Sequence, residues 1–376
     1  PAPSMPKAPA EPALSFDEVA TRAANARQAE AAEEALEWYR RGVKMRPSWE
    51  EGWWYRGSLA YGLDLHVEAR DAFTRFLALK PDSGPAWALR GLAAFQLKDY
   101  DAALRYLSKG MSLGSVGNAE IRRVVYYHFA FLRLKAGQFE LAVEPLRLLA
   151  RTEPESPALV DACGLLVLRE AMLPTEIPKE RSELVRAAGA AAHAGFTSKL
   201  DTMKERFDAL LERYPGVPNL HYAYGVFMMD VDQEKALAAH RREIEVQPDA
   251  VMPRLELAFA HERNGAFADA LPWAEQAVKL APRLFAARYA LGRALVETGQ
   301  VSRGVTELEE AVRLAPESPE VRFALVRAYN AAGRTEDVER ERAIFKELEA
   351  RKKGPSDDLP GFARDLSVSE EPPPVP

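Results

Sequence analysis

Prolines recur along this chain at an interval close to 34 residues. Pro47 and Pro81 lie 34 apart, Pro215 and Pro248 lie 33 apart, and Pro282 and Pro316 follow at 34 and 34. Each closes a similar phrase, from Val43-Lys44-Met45-Arg46-Pro47 to Val312-Arg313-Leu314-Ala315-Pro316. A period of this length restricts the chain to one supersecondary unit stacked on copies of itself, because a single unit cannot bury its apolar faces alone. Within a window the apolar residues recur at helical intervals on two stretches, as in Trp87, Leu89, Leu92 and Phe95, then Ala103, Leu104 and Leu107. The spacing predicts a helix, a short turn and a second helix. Gly137, Gly265, Gly299 and Gly333 fall in the turns, where a left-handed residue ends the first helix without a Cβ clash. The closing prolines stop the second helix.

Laid over one another, the windows resemble the tetratricopeptide repeat family. In residues 50–83, Trp53, Gly57, Ala60, Ala69, Phe73 and Pro81 fall on the family's Trp, Gly, Tyr, Ala, Phe and Pro positions, with Ala in place of Tyr. Residues 84–117 supply Trp87, Gly91, Ala103 and Leu107, with Ser115 where Pro is expected. Residues 251–284 and 285–318 repeat the phrase, and weaker copies occupy 16–49, 123–156, 218–250 and 319–352. The resemblance implies an all-α, right-handed α-α superhelical solenoid of about ten helix-turn-helix units over 16–352. Residues 157–217 diverge. There Leu173-Pro174-Thr175-Glu176-Ile177-Pro178 interrupts the fifth unit, which is expected to lack its second helix, and residues 184–217 resume as a divergent sixth. A second break is the insertion around 110–118. The densely charged stretch 336–353 reads as a solvated capping helix.

Residues 1–15 are rich in proline and alanine, and 353–376 in proline, acidic and small residues. Both are expected to be disordered tails, since neither can bury enough apolar area to offset ordering entropy. The start at Pro1 fits a mature chain after signal cleavage, favouring a periplasmic or secreted location over a cytoplasmic one, although an artificially trimmed start would look the same. A formal net charge of -6 gives no general attraction to phosphate backbones or anionic lipid. No run of eighteen apolar residues is present, so no membrane insertion is expected. Cys163 is the single cysteine; it can form neither an internal disulfide nor a thiolate cluster, and reads as a small buried hydrophobe.

No phosphate-binding glycine loop, dinucleotide turn or nucleophile elbow occurs. His240 and Glu243 share a helix face, but His240 stands on the family's packing position, and packing is the stronger reading over a metal site. Neither cofactor nor catalytic residue is assigned. In the family, first helices line a concave surface, and carrying its exposed offsets over residue by residue selects Trp54, Ser58, Tyr61, Leu92, Phe95, Tyr127, Phe131 and Lys135. Further along they select Tyr222, Phe259, Glu262, Tyr289, Arg293, Phe323 and Arg327. Such an aromatic stripe could anchor an extended peptide or a partner helix, although the same rings could pack between adjacent first helices. The Lys/Asn clamp by which some members grip a C-terminal carboxylate is missing from the first two copies, which carry Ala20, Ala24, Trp54 and Ser58. The resulting expectation is a non-enzymatic scaffold that binds a protein or peptide, not nucleic acid, in an aromatic concave groove. The alternatives are a self-assembling subunit of an oligomer or filament and, further off, a non-catalytic accessory of a glycosyltransferase-type enzyme.

Overall fold

A computed structural model describes residues 14–114 and 119–352. The expected tails at 1–15 and 353–376 lie outside the described residues, apart from Leu14 and Ser15, as do residues 115–118 of the insertion at 110–118. Among the described residues there are nineteen α-helices and no strand. The helices of the expected array fall into two compact units, 1–132 and 133–376, with the boundary inside α7.

Unit 1 contains α1 (Phe16–Gln28), α2 (Ala32–Met45), α3 (Glu50–Gly62), α4 (His66–Leu79), α5 (Gly84–Gln96), α6 (Tyr100–Ser112) and most of α7 (Ala119–Lys135). Unit 2 continues with α8 (Phe139–Thr152), α9 (Pro157–Leu168), α10 (Ser182–Phe196), α11 (Leu200–Arg213), α12 (Leu220–Met228) and α13 (Gln233–Val246). It ends with α14 (Met252–Arg263), α15 (Phe267–Leu280), α16 (Phe285–Glu297), α17 (Val301–Leu314), α18 (Pro319–Ala331) and α19 (Thr335–Lys352). Each unit is a stretch of α solenoid in which paired antiparallel helices pack on the next pair.

The helices start where the sequence offers caps. Ser15, Ser83, Asp99, Ser156, Asp232 and Ser318 each accept a backbone N–H with the side chain, satisfying a donor the helix leaves open. The turns inside the pairs use one left-handed residue. It is glycine at 137, 265, 299 and 333, with φ of 73, 71, 84 and 71°, as the sequence predicted. Glu30, Asp64, Lys98 and Ser198 take the same conformation at φ of 58, 58, 60 and 59° and carry its steric cost.

Inside several pairs a first-helix glycine meets a large second-helix residue. A Cβ on Gly57 would lie 2.9 Å from Phe73, on Gly91 2.7 Å from Leu107, and on Gly292 2.5 Å from Leu308. The space is filled from one side only, so the bulk of Phe73, Leu107 and Leu308 is buried almost completely.

A further regularity joins each closing proline to the helix after it. Trp53 Nε1 donates to the Pro47 carbonyl at 2.8 Å and Trp87 Nε1 to Pro81 at 2.8 Å. His221 takes the place against Pro215 at 3.2 Å, Arg254 against Pro248 at 2.6 Å, Arg288 against Pro282 at 2.9 Å and Arg322 against Pro316 at 3.1 Å. The position requires a side-chain N–H six residues after the proline, which is why ring and guanidinium interchange there.

The connection between α9 and α10 departs from the short turn of the other pairs. After α9 the chain holds only a 3-10 turn, Pro174–Glu176, before α10. α10 then packs against both α9 and α11, serving each as a partner. Backbones touch at this crossing: a Cβ on Gly164 would stand 1.9 Å from the Val185 carbonyl oxygen, and one on Gly189 1.9 Å from that of Val160.

Candidate functional site

The residues selected by offset behave differently in the two units. In unit 1, Trp54 turns onto the second helix of its own pair, its ring 5.9 Å from Phe73 and 5.5 Å from Phe76. Ser58 Oγ donates back to the Trp54 carbonyl at 3.0 Å. Tyr61 packs on His66 at 5.5 Å, and its phenol bonds to Gln96 of α5 while burial pushes its pKa up. Phe95 meets His128 of α7 edge-on at 4.4 Å and Tyr100 at 5.5 Å. Tyr127 and Phe131 form their own T-shaped pair at 5.7 Å. All are half-buried, and Leu92 is a core residue at 2% exposure, so its place on a groove surface is corrected. Trp54, Tyr61 and Phe95 thus tie helices together, the packing role that the sequence left open.

In unit 2 the stripe opens only at Phe323 and Arg327. Tyr222 of α12 lies beside the His240 ring at 5.8 Å, and burial pushes its phenol well up. Arg169, at the end of α9 in a left-handed conformation of φ 53°, is 5.9 Å from the Tyr222 ring and pairs with Glu140 at 2.6 Å. Phe259 of α14 and Tyr289 of α16 sit 6.3 Å apart. Tyr289, Arg293, Phe323 and Arg327, from two successive first helices, converge on one cavity of about 180 Å³ whose remaining lining is Val296, Glu297, Leu308 and Ala324. Phe323 is 51% exposed there and packs at a tilt against Phe345 of α19, with ring centres 5.6 Å apart. Lys135, also selected by offset, pairs with Glu176 at 2.8 Å.

Arg293 of the cavity lining pairs with Glu262, whose side chain is 1% exposed. Arg293 Nη1 stands 2.9 Å from its Oε2, but not in hydrogen-bond geometry, and neither carboxylate oxygen has a hydrogen-bond partner. Burial pushes the Glu262 carboxyl up to about 7, against the pull of Arg293 and Arg263. Arg293 also approaches Tyr289, its guanidinium 5.3 Å from the ring and Nη1 3.4 Å from the phenol oxygen. Arg327 is held by Glu297 at 2.6 Å.

The offset pattern selected the rings and both arginines but not Glu297, Glu140 or Arg169. No local signal marks Arg169, since the left-handed position after a helix ordinarily favours glycine.

His240 and Glu243 are both fully buried and do different work. His240 fills the space over Gly225, as Leu308 does over Gly292. Glu243 reaches across to α12, accepting the amides of Asn219 at 2.7 Å and Tyr222 at 3.1 Å, and so caps that helix from outside. Among the described residues no group of three His, Cys, Asp or Glu could hold a metal ion, and no helix is long and apolar enough to cross a membrane. Burial pushes the Cys163 thiol up to about 12, which leaves it inert as a nucleophile.

Paired helices with a glycine against a bulky partner, left-handed turns and a closing proline define an all-α repeat protein of the interaction-scaffold class. Tetratricopeptide-repeat models match residues 56–110 and 285–328, so this chain carries tetratricopeptide repeats in both units. No curated protein sequence matches it. Similar solved structures include a crystal structure of MamA, 15% identical over 46% of this chain and 94% of that one, with a TM-score of 0.40. Another is MamA from residue 41 onward from Desulfovibrio magneticus RS-1, 18% identical over 46% of this chain and 96% of that one, with a TM-score of 0.39. At these scores the likeness carries no functional meaning.

Proposed function

We propose that the chain is a non-enzymatic scaffold that binds a peptide or partner protein on the first-helix face of unit 2, centred on Tyr289, Arg293, Phe323 and Arg327. The observation that carries this reading is their convergence on one cavity, with Phe323 half exposed at its edge. A large ring left open beside guanidinium groups is the composition of an interface anchor, and desolvating it supplies most of the binding free energy at such sites. Tyr222 and Phe259 extend the same face. The rings of unit 1 support the reading less, because most of them pack between helices. The net charge of -6 disfavours nucleic acid as the partner.

Peptides selected from a displayed library against the full chain test the reading. Phe323→Ala combined with Arg327→Ala is expected to weaken the selected peptides about thirtyfold, or roughly 2 kcal/mol, with an unchanged melting temperature. Unchanged affinity in that variant would move binding to another face.

A further inference from the structure

Resting on that reading, the inference concerns what the cavity accepts. Arg293 Nη1 is shared between Glu262 and Tyr289, while the other donors of its guanidinium make no hydrogen bond and the side chain, 29% exposed, lines the cavity. Its counter-ion is unusual. The Glu262 carboxylate is buried to 1% exposure, receives no hydrogen bond, and lies where a ligand cannot reach its oxygens. Such a carboxylate is costly to keep charged, because burial removes its hydration without supplying donors in return. A cationic ligand would have to expel Arg293 to pair with it. An anionic ligand needs only to approach the open side of the same guanidinium.

We propose that the cavity between α16 and α18 takes an acidic side chain of the partner, and that this anion binds together with one proton, which Glu262 takes up from solvent. The ligand carboxylate replaces Glu262 as counter-ion of Arg293, Glu262 becomes the neutral acid, and no bond within the ligand changes. Arg327, held at the rim by Glu297, adds a second guanidinium, while Val296, Leu308 and Phe323 offer an apolar wall for a neighbouring side chain.

The charges acting on Glu262 come from Arg293 and Glu297 of α16 and from Arg263 of α14, and none comes from α13 or α15. The Tyr289 phenol of α16 faces it as well, and Tyr222 of α12 faces Glu256 instead. Glu262→Gln is the control that separates this carboxyl from the other ionisable groups of the face.

The test uses the full chain and two synthetic peptides, acetyl-Glu-Glu-Leu-Phe-Glu-Glu-amide and its counterpart with glutamine at every glutamate. Binding is read by anisotropy at pH 6 and pH 8, and by calorimetry at pH 8 in two buffers of different ionisation enthalpy. The acidic peptide is expected to bind about fivefold tighter at pH 6 than at pH 8, with net proton uptake, and about tenfold tighter than the glutamine peptide at pH 6. Glu262→Gln should keep the pH 6 affinity at pH 8, and Arg293→Gln should reduce the acidic peptide to the level of the other. Equal affinity of the two peptides, absence of acidic-peptide binding, or pH dependence that survives Glu262→Gln overturns the proposal. Proton uptake is measured on the unmodified chain, so it decides even if a variant folds poorly. If both peptides bind equally and Phe323→Ala weakens both, the groove stands and only its acidic preference falls. Binding indifferent to Phe323→Ala overturns the groove itself.

Discussion

Gly164 of α9 and Val185 of α10 are in backbone contact: a single β-carbon on the glycine would stand 1.9 Å from the Val185 carbonyl oxygen. No side-chain rotation relieves such an overlap, because the obstructing atom is main chain. Gly164→Ala should therefore destabilise unit 2 by about 3 kcal/mol or more. Gly62→Ala, where the new carbon meets nothing within 4 Å, should be neutral or slightly stabilising. Urea unfolding followed by circular dichroism compares the two, and an equal small effect would refute the close crossing.

The turn after α5 offers the opposite experiment. Lys98 holds φ at 60°, where Gly299 and Gly333 stand in equivalent turns. Lys98→Gly should stabilise by roughly 0.5–1 kcal/mol by removing the left-handed penalty, and Gly299→Ala should cost about 1 kcal/mol. A loss of stability in Lys98→Gly would show that side-chain contacts of Lys98 outweigh its backbone strain.

His240 sets part of the acid limb of stability. It is fully buried, neither ring nitrogen has a partner, and burial lowers its pKa to about 4 from an ordinary value of 6.5. The native state thus binds fewer protons than the unfolded one between these values. Its contribution is intact above pH 6.5 and is lost as pH falls through 6.5 toward 4, by about 3 kcal/mol at most. His240→Leu, which restores the residue found over Gly91 and Gly292, should flatten denaturation midpoints between pH 6.5 and 4. Retention of the full acid slope in that variant would assign it to other groups, such as His128 and His193, whose pKa values burial also lowers.

The donor facing each closing proline can be removed without removing its ring. Trp53→Phe keeps the aromatic surface and deletes the N–H that the Pro47 carbonyl accepts at 2.8 Å. A loss of about 1 kcal/mol is expected, with Trp53→Arg recovering part of it, since arginine fills this position against Pro282 and Pro316. If Trp53→Arg is as destabilised as Trp53→Phe, the position selects for the ring and not for the donor.

The sequence by itself determined the repeat, the helix pairing and the turns, because these depend on neighbours within a few residues. A helical apolar period, a glycine that can adopt positive φ and a proline that cannot continue a helix act locally, and they recur often enough here to set the register of most of the chain. The break at Pro174 and Pro178 was legible for the same reason. Tertiary structure alone decided how deep each first-helix side chain lies. An offset places Trp54 and Phe323 on the same kind of face, yet Phe73 and Phe76 cover the first while the second stays half open. Burial at such positions is set by residues from other helices, some in the next repeat, whose size the local pattern does not encode. The isolated carboxylate of Glu262 and the reach of Glu243 to the start of α12 likewise exist only once separate helices are packed, since each joins groups that are far apart along the chain.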